Sequence, residues 1–268
     1  MNIKRLLLSL CGIAWLSVSS CDTDDPGSAR ELAIVPVRLQ QADYAKELSF
    51  DNHGRLAKVI ITSEMPDGTI LESTQEFEFD GETPIRCTTN YGFRMEYTYD
   101  GGVIVRTDEF LNGTFSQFHT FSYDDHGRVA EIISWQNIPE EGGLIPHNKG
   151  VYEYDETGNV LFQRLYYYNT DSKDHELLTV FEYSDYDSFI NSEQLFNAFP
   201  FNPLFKFSKN NPGKMVVKNA NGIVSTTDEH IYTYNARGYA IHKTTKSSFR
   251  NGESGTYETA YVFEEKSR

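Results

Sequence analysis

The sequence predicts an all-β protein: a large antiparallel meander of repeated β-hairpins, curled into a barrel-like or half-barrel sheet and soluble rather than membrane-spanning. Three observations predict it. A short phrase recurs along the chain: aromatic, polar, aromatic, Asp-like residue, turn, Gly, then an apolar alternation. Further turn signals fill the gaps between its copies, as in Pro66-Asp67-Gly68, Asn112-Gly113, Asn221-Gly222 and Asn251-Gly252. Past the first twenty residues, no segment carries the period of a long amphipathic helix.

From the N-terminus, residues 1–20 read as a signal peptide. Lys4 and Arg5 form a short positive region, and Leu6 through Leu16 is mostly apolar but too short to span a bilayer as a helix. Mostly small residues follow. Val18-Ser19-Ser20-Cys21 resembles a bacterial lipobox. The resemblance implies that the Cys21 thiol receives diacylglycerol, that the chain is cut before it, and that the new amine is acylated. Several acyl chains anchor stably where one binds only marginally. The alternative is an ordinary secretory signal with a fortuitous Cys.

Residues 21–35 are then the lipidated Cys and a flexible acidic tether, with Pro26 and Gly27. Asp22, Asp24 and Asp25 resemble the acidic export signal of Bacteroidetes surface lipoproteins, which implies the outer face of the outer membrane. In enterobacterial lipoproteins an Asp just after the Cys instead implies retention at the inner membrane. Three acids within four residues fit the first pattern better, and a solvated tether is compatible with it.

Residues 36–268 read as a single domain of hairpin repeats. The phrase stands at Leu48-Ser49-Phe50-Asp51-Asn52-His53-Gly54, with Leu in the first aromatic place, and at Phe121-Ser122-Tyr123-Asp124-Asp125-His126-Gly127. It returns at Tyr152-Glu153-Tyr154-Asp155-Glu156-Thr157-Gly158 and at Tyr232-Thr233-Tyr234-Asn235-Ala236-Arg237-Gly238. Weaker copies begin at Phe77, Tyr97, Phe181 and Tyr261. Aromatics at i and i+2 share one face of a strand, and the residue between them faces the other way. The Asp caps the turn by accepting from backbone N–H groups just beyond it. The Gly takes the positive φ of a type I turn followed by a bulge. Roughly 15 strands of about 5–9 residues result.

The phrase resembles the YD repeats of Rhs-type shell proteins. Together with the lipobox and acidic tether, the chain resembles a family of Bacteroidetes lipoproteins of unknown function with a porin-like β fold. That resemblance implies the fold and supplies no catalytic residues. A porin-like shape need not span a membrane, because the second strand face carries Glu47, Glu76, Glu78, Glu96, Glu153 and Glu182, and a spanning barrel needs an apolar band there.

Two stretches break the rhythm. Residues 195–213 hold three prolines and five Phe residues, which excludes a central strand. Phe199 and Phe201 are candidates for an exposed patch that docks a partner. The other reading is a buried crossover with a short helix that plugs the end of the sheet, and Phe, without a polar tip, favours the plug. Residues 137–149 form a long loop by hairpin standards. Trp135 at its base offers a ring face to a sugar, or continues a core face with Val129, Glu131 and Ile133. We take the core as the better reading of Trp135.

The net charge of −15 disfavours nucleic acid, which needs a cationic face. Loss of residues 1–20 removes Lys4 and Arg5 and makes the balance two units more negative. Of three cysteines, Cys11 leaves with the signal and Cys21 is lipidated, so Cys87 remains alone and no disulfide forms. His53 and His126 occupy equivalent turn places, but Thr157 and Arg237 stand there in other copies, so the place demands no metal ligand. Asp51, Asp124 and Asp155 lack the alternating oxygen set of a calcium loop. No nucleophile elbow, zinc-protease motif or phosphate loop is present. No cofactor is expected beyond the covalent lipid at Cys21. The expected function is a surface-anchored binding module for a glycan or protein. A structural or assembly component of an envelope complex comes next, then a polysaccharide hydrolase. Expected partners are the membrane, through lipid, and a glycan or outer-membrane protein.

Overall fold

The computed structural model describes residues 32–139, 143–197 and 208–267. The chain forms β1 (Leu32–Gln40), β2 (Tyr44–Phe50), β3 (Leu56–Glu64), β4 (Ile70–Asp80), β5 (Thr83–Thr89), β6 (Phe93–Asp100), β7 (Val103–Leu111) and β8 (Thr114–Tyr123). It continues with β9 (Val129–Ile138), β10 (Gly143–Tyr154), β11 (Val160–Asn169) and β12 (Asp174–Ser184). After α1 (Ser192–Asn197) come β13 (Lys214–Asn219), β14 (Val224–Tyr234), β15 (Ala240–Phe249) and β16 (Ser254–Ser267).

Each strand pairs antiparallel with the next, and β1 pairs with β16 from Leu32↔Ser267 to Gln40↔Ala260. The sheet is therefore a closed sixteen-stranded barrel, and the half-barrel expectation is corrected. Closure leaves no edge strand with unpaired N–H and C=O groups.

The phrase always ends an even-numbered strand, so all its turns gather on one rim. β1 starts and β16 ends at that rim as well. Its Asp residues act as read from sequence. Asp124 Oδ1 accepts from the His126 and Arg128 N–H groups, each at 2.9 Å. Asp51 and Asp155 do the same with His53 and Arg55, and with Thr157 and Asn159. Asn235 stands in for Asp with the N–H groups of Arg237 and Tyr239. Gly127 takes φ 72°, a conformation that would strain any residue with a Cβ.

The rim is also stitched from hairpin to hairpin. Tyr99 donates its hydroxyl to the Pro84 carbonyl at 2.7 Å, Tyr123 to Ile104 at 2.5 Å, and Tyr154 to Val129 at 2.9 Å. This explains the phenol in the second aromatic place: it satisfies a carbonyl next to the neighbouring turn. Arg128 binds Asp124, donates to the Asp155 carbonyl at 3.1 Å, and lies 4.5 Å over the Tyr154 ring.

Just after each full turn the register shifts by one residue, as at Ser122/Tyr123 opposite Val129. The first apolar residue beyond the Gly points inward: Leu56, Val129, Val160 and Ala240 are all buried. The bulge then reverses the alternation, which corrects the reading of Trp135 as core. Val129 and Ile132 face the interior, whereas Trp135 faces out. There it stacks on Phe118 with ring centroids 5.7 Å apart, and Arg106 covers the other side of Phe118 at 3.7 Å.

Inside, Leu39, Leu48, Val59, Phe77, Cys87 and Met95 line one wall of the lumen. The crossover from β12 to β13 folds back into the barrel at the phrase rim. Its helix α1 places Phe196 at 0% exposure against the rings of Tyr261 and Phe263. Lys46 donates to the Phe196 carbonyl at 3.3 Å, and burial lowers its pKa to about 8. Asn210 and Asn159 bond reciprocally, and Ser208 accepts from the Val160 N–H, so the returning segment is pinned to the turn before β11.

The outer wall carries ion pairs. They include Arg86 with Glu78 and Glu96, Arg164 with Glu153, and Lys218 with Glu182 at 2.6 Å. Among the described residues no helix is long and apolar enough to cross a membrane, which says nothing of a β-barrel.

Candidate functional site in the barrel lumen

Of the residues singled out from sequence, Cys21, Asp22, Asp24, Asp25, Phe199 and Phe201 lie outside the described residues. Trp135 lies on the outer wall, half-buried, with its indole N–H donated to Thr120 at 3.2 Å. The best-formed constellation involves residues that sequence reasoning did not single out.

That constellation sits in the lumen beside α1. The inward faces of β14 and β15 alternate Asp228, His230 and Tyr232 against Ser247, Thr245 and Lys243 in direct register. α1 brings Glu193 to them from the crossover. Glu193 forms an ion pair with Lys243 and accepts from the Tyr261 hydroxyl at 3.0 Å. Burial works to raise the Glu193 pKa, but the Lys243 ammonium and the hydrogen bonds from Lys243 and Tyr261 outweigh it. The net effect holds the carboxyl below the ordinary range. His230 shares a hydrogen bond with Thr245 Oγ1 at 3.0 Å through Nδ1. Burial, helped by the Lys243 charge, lowers the His230 pKa, so the ring is neutral at pH 7. Burial raises the phenols of Tyr183, Tyr232 and Tyr261, which stay protonated.

Asp228, His230, Tyr232, Thr245, Lys243 and Glu193 border a cavity of about 440 Å³, also lined by Gln163, Tyr183 and Met215. A second space of about 710 Å³ shares Asp228, Lys243 and Thr245 with it and extends to Gln41 and Asp43. The turn between β1 and β2 holds those last residues, at the rim opposite the crossover. The lumen is thus floored by α1 at one end and reached from the other. Asp228 Oδ1 is buried and has no hydrogen-bond partner among the described residues.

A separate polar cluster lies on β7–β9. His119 bonds Glu109 at 3.0 Å through Nε2 and Ser134 at 2.8 Å through Nδ1, while Gln117 donates to the other Glu109 oxygen. His119 and Glu109 are buried, and these residues do not line the two cavities. The cluster satisfies polar groups that the inward phase of these strands forces into the interior. Among the described residues no group of three or more His, Cys, Asp or Glu side chains is placed to hold a metal ion.

One signal for the lumenal site was present in the sequence. Asp228 and His230 share the phase of Tyr232 and Tyr234, so polar groups stand where the phrase puts inward aromatics.

No family model and no curated protein matches the chain. Solved structures do. A porin-like protein from Bacteroides uniformis aligns with a TM-score of 0.59 and 14% identity, over 86% of this chain and 96% of that one. This likeness carries the fold: the two chains share the barrel architecture over nearly their whole lengths. A porin-like protein from Bacteroides vulgatus reaches a TM-score of 0.38 at 9% identity, over 85% of this chain and 98% of that one. A DUF3836 family protein from the same species reaches 0.30 at 18% identity, over 32% and 91%. The expected porin-like β fold is present, and at these identities the likeness ends with the fold.

Proposed function

We propose that the chain is a lipid-tethered envelope protein whose barrel stands in water outside the bilayer and acts as a non-catalytic binding module. In this reading Cys21 carries the lipid, and Asp22, Asp24 and Asp25 direct export to the outer surface of the outer membrane. The observation that carries it is the ion-paired outer wall. Arg86, Glu78 and Glu96 point outward from β4–β6, and Arg164, Glu153, Lys218 and Glu182 from β10–β13, on a separate part of the wall. A cation at the bilayer midplane on such a wall costs about 2–4 kcal/mol, and a spanning barrel keeps an apolar band there instead. The chain direction supports an orientation. β1 starts at the rim closed by the crossover, so a tether joined there leaves the open rim facing away from the membrane.

Proteinase K treatment of intact cells, combined with urea washing of membranes, tests this. The native chain is digested on intact cells. An Asp22/Asp24/Asp25→Ala variant is protected, and Cys21→Ala leaves the membrane fraction. A Cys21→Ala protein that stays in urea-washed membranes would mean the wall itself inserts, and the proposal would be wrong. Protection of the native chain would put the barrel in the periplasm and overturn the surface reading.

A further inference from the structure

We propose that the lumenal cavity between α1 and β11–β15 is a saccharide site that takes neutral or amino sugars in preference to acidic ones. This deepens the binding-module reading and rests on it. Its test uses purified protein, so it can fail while the anchoring and surface claims stand, and the reverse.

Size comes first. The cavity of about 440 Å³ falls within the roughly 300–1,000 Å³ of small-molecule sites, and its outer extension gives a ligand a way in. The lining is mixed. Tyr183 and Tyr232 present ring surface, and Gln163, Thr245 and Asp228 present polar groups among them. A pyranose ring has the matching surface, with C–H faces between hydroxyls that both donate and accept. A purely apolar ligand would leave the polar lining without partners.

The hydrogen-bond inventory then sets the ligand's character. Asp228 Oδ1 is a buried carboxylate oxygen with no donor among the described residues. Leaving such an atom unpaired costs folding free energy, and a donor that arrives with a ligand restores it. Lys243, the cation on the facing strand, is held by Glu193. Among the described residues no donor reaches this Asp228 oxygen, and in the proposal the ligand supplies one, as a hydroxyl or an amine. Charge selects further. Among the described residues that border the cavity, the carboxylates of Asp228 and Glu193 face one ammonium, that of Lys243, and His230 beside them is neutral. A uronate or sialate carboxylate would face net negative charge in a partly desolvated space.

The experiment is titration calorimetry on the full chain purified in mild detergent. The probes are galactose, N-acetylglucosamine, glucosamine, galacturonic acid and oligomers of each. At least one neutral or amino sugar is expected to saturate at one site per barrel, with its acidic counterpart about tenfold weaker or worse. Asp228→Ala removes a buried atom with no partner among the described residues, so it is expected to leave the melting temperature unchanged or raise it, and to weaken binding about tenfold. Met215→Trp fills the cavity from β13 and is expected to abolish binding whatever Asp228→Ala does to folding. Trp135→Ala, on the outer wall, leaves binding intact. No saturable binding of any probe up to about 10 mM would overturn the proposal. So would acidic sugars binding as tightly as neutral ones, or Met215→Trp binding like the native chain.

Discussion

Asp124 is the sharpest place to test how the recurring phrase builds the rim. Its Oδ1 accepts two backbone N–H groups and its Oδ2 binds the Arg128 guanidinium at 2.7 Å. Asp124→Ala removes all three. Hydrogen bonds to a charged group each net about 1.5–3 kcal/mol when well buried. The Asp124 side chain is 24% exposed and water reaches the turn, so low values apply. A total of about 2–3 kcal/mol is a reasonable sum after water re-solvates the freed N–H groups. For a domain of this size that lowers the melting temperature by about 4–12 °C. Asp124→Asn keeps the backbone acceptor and loses the charge, so it is expected to cost only about 1 kcal/mol. Asn235 already performs the same double acceptance in another copy.

Thermal unfolding followed by circular dichroism, across pH, reads both variants. Burial works to raise the Asp124 pKa, but the backbone N–H and side chain of Arg128, the His126 N–H and the Arg128 charge bring it below the ordinary value. A lowered carboxyl pKa contributes stability that is present above the unfolded value, near 3.9, and lost as pH falls through the folded one. The native barrel is therefore expected to lose melting temperature below about pH 4 faster than Asp124→Asn does. If Asp124→Asn proves as damaging as Asp124→Ala, the backbone cap is not what the Asp supplies. If both variants melt within a degree of the native chain, the phrase does not hold the rim at all.

Other consequences can be measured alongside. Lys243→Met strands the Glu193 carboxylate in the lumen and is expected to cost about 2–3 kcal/mol in urea unfolding, less than a fully buried pair because Glu193 is partly exposed. Adding Glu193→Gln should recover most of it, and no recovery would deny the ion pair its role. Phe196→Ala empties the contact between α1 and the Tyr261 and Phe263 rings, and is expected to cost about 3–5 kcal/mol. Burial pushes the Cys87 thiol up to about 12, so a disulfide reagent at pH 8 should label it only on the timescale of unfolding. Rapid labelling of the native barrel would contradict its position in the core.

The hairpins were legible because their determinants are local. Two aromatics, an Asp and a Gly within seven residues specify a strand end, a capped turn and a positive φ. Closure was not legible in the same way. It depends on β1 meeting β16, and β1 (Leu32–Gln40) carries no copy of the phrase. Trp135 was assigned to the wrong face because counting by two assumes an unbroken strand, whereas the bulge after Val129 adds a residue that the pattern does not mark. Correct counting through that bulge would have placed Ser134 inside and Trp135 outside.

The lumenal site divides along the same line. Its wall was half legible, since Asp228 and His230 lie in phase with the inward Tyr232 and Tyr234. Its floor was not. Glu193 meets Lys243 only because the crossover folds back into the lumen, across fifty residues of sequence, and no periodicity records that contact. The same crossover is what breaks the symmetry of the repeats. Fifteen of the sixteen strand-to-strand steps around the barrel are short connections or the β1–β16 closure, and the remaining one, from β12 to β13, carries a helix. A barrel of uniform hairpins has an interior that is alike on every side. The inserted helix supplies one carboxylate and takes up Lys243, and the buried Asp228 Oδ1 has no donor among the described residues. If the protein binds through its lumen, specificity therefore resides where the repeat is interrupted, not in the repeat itself.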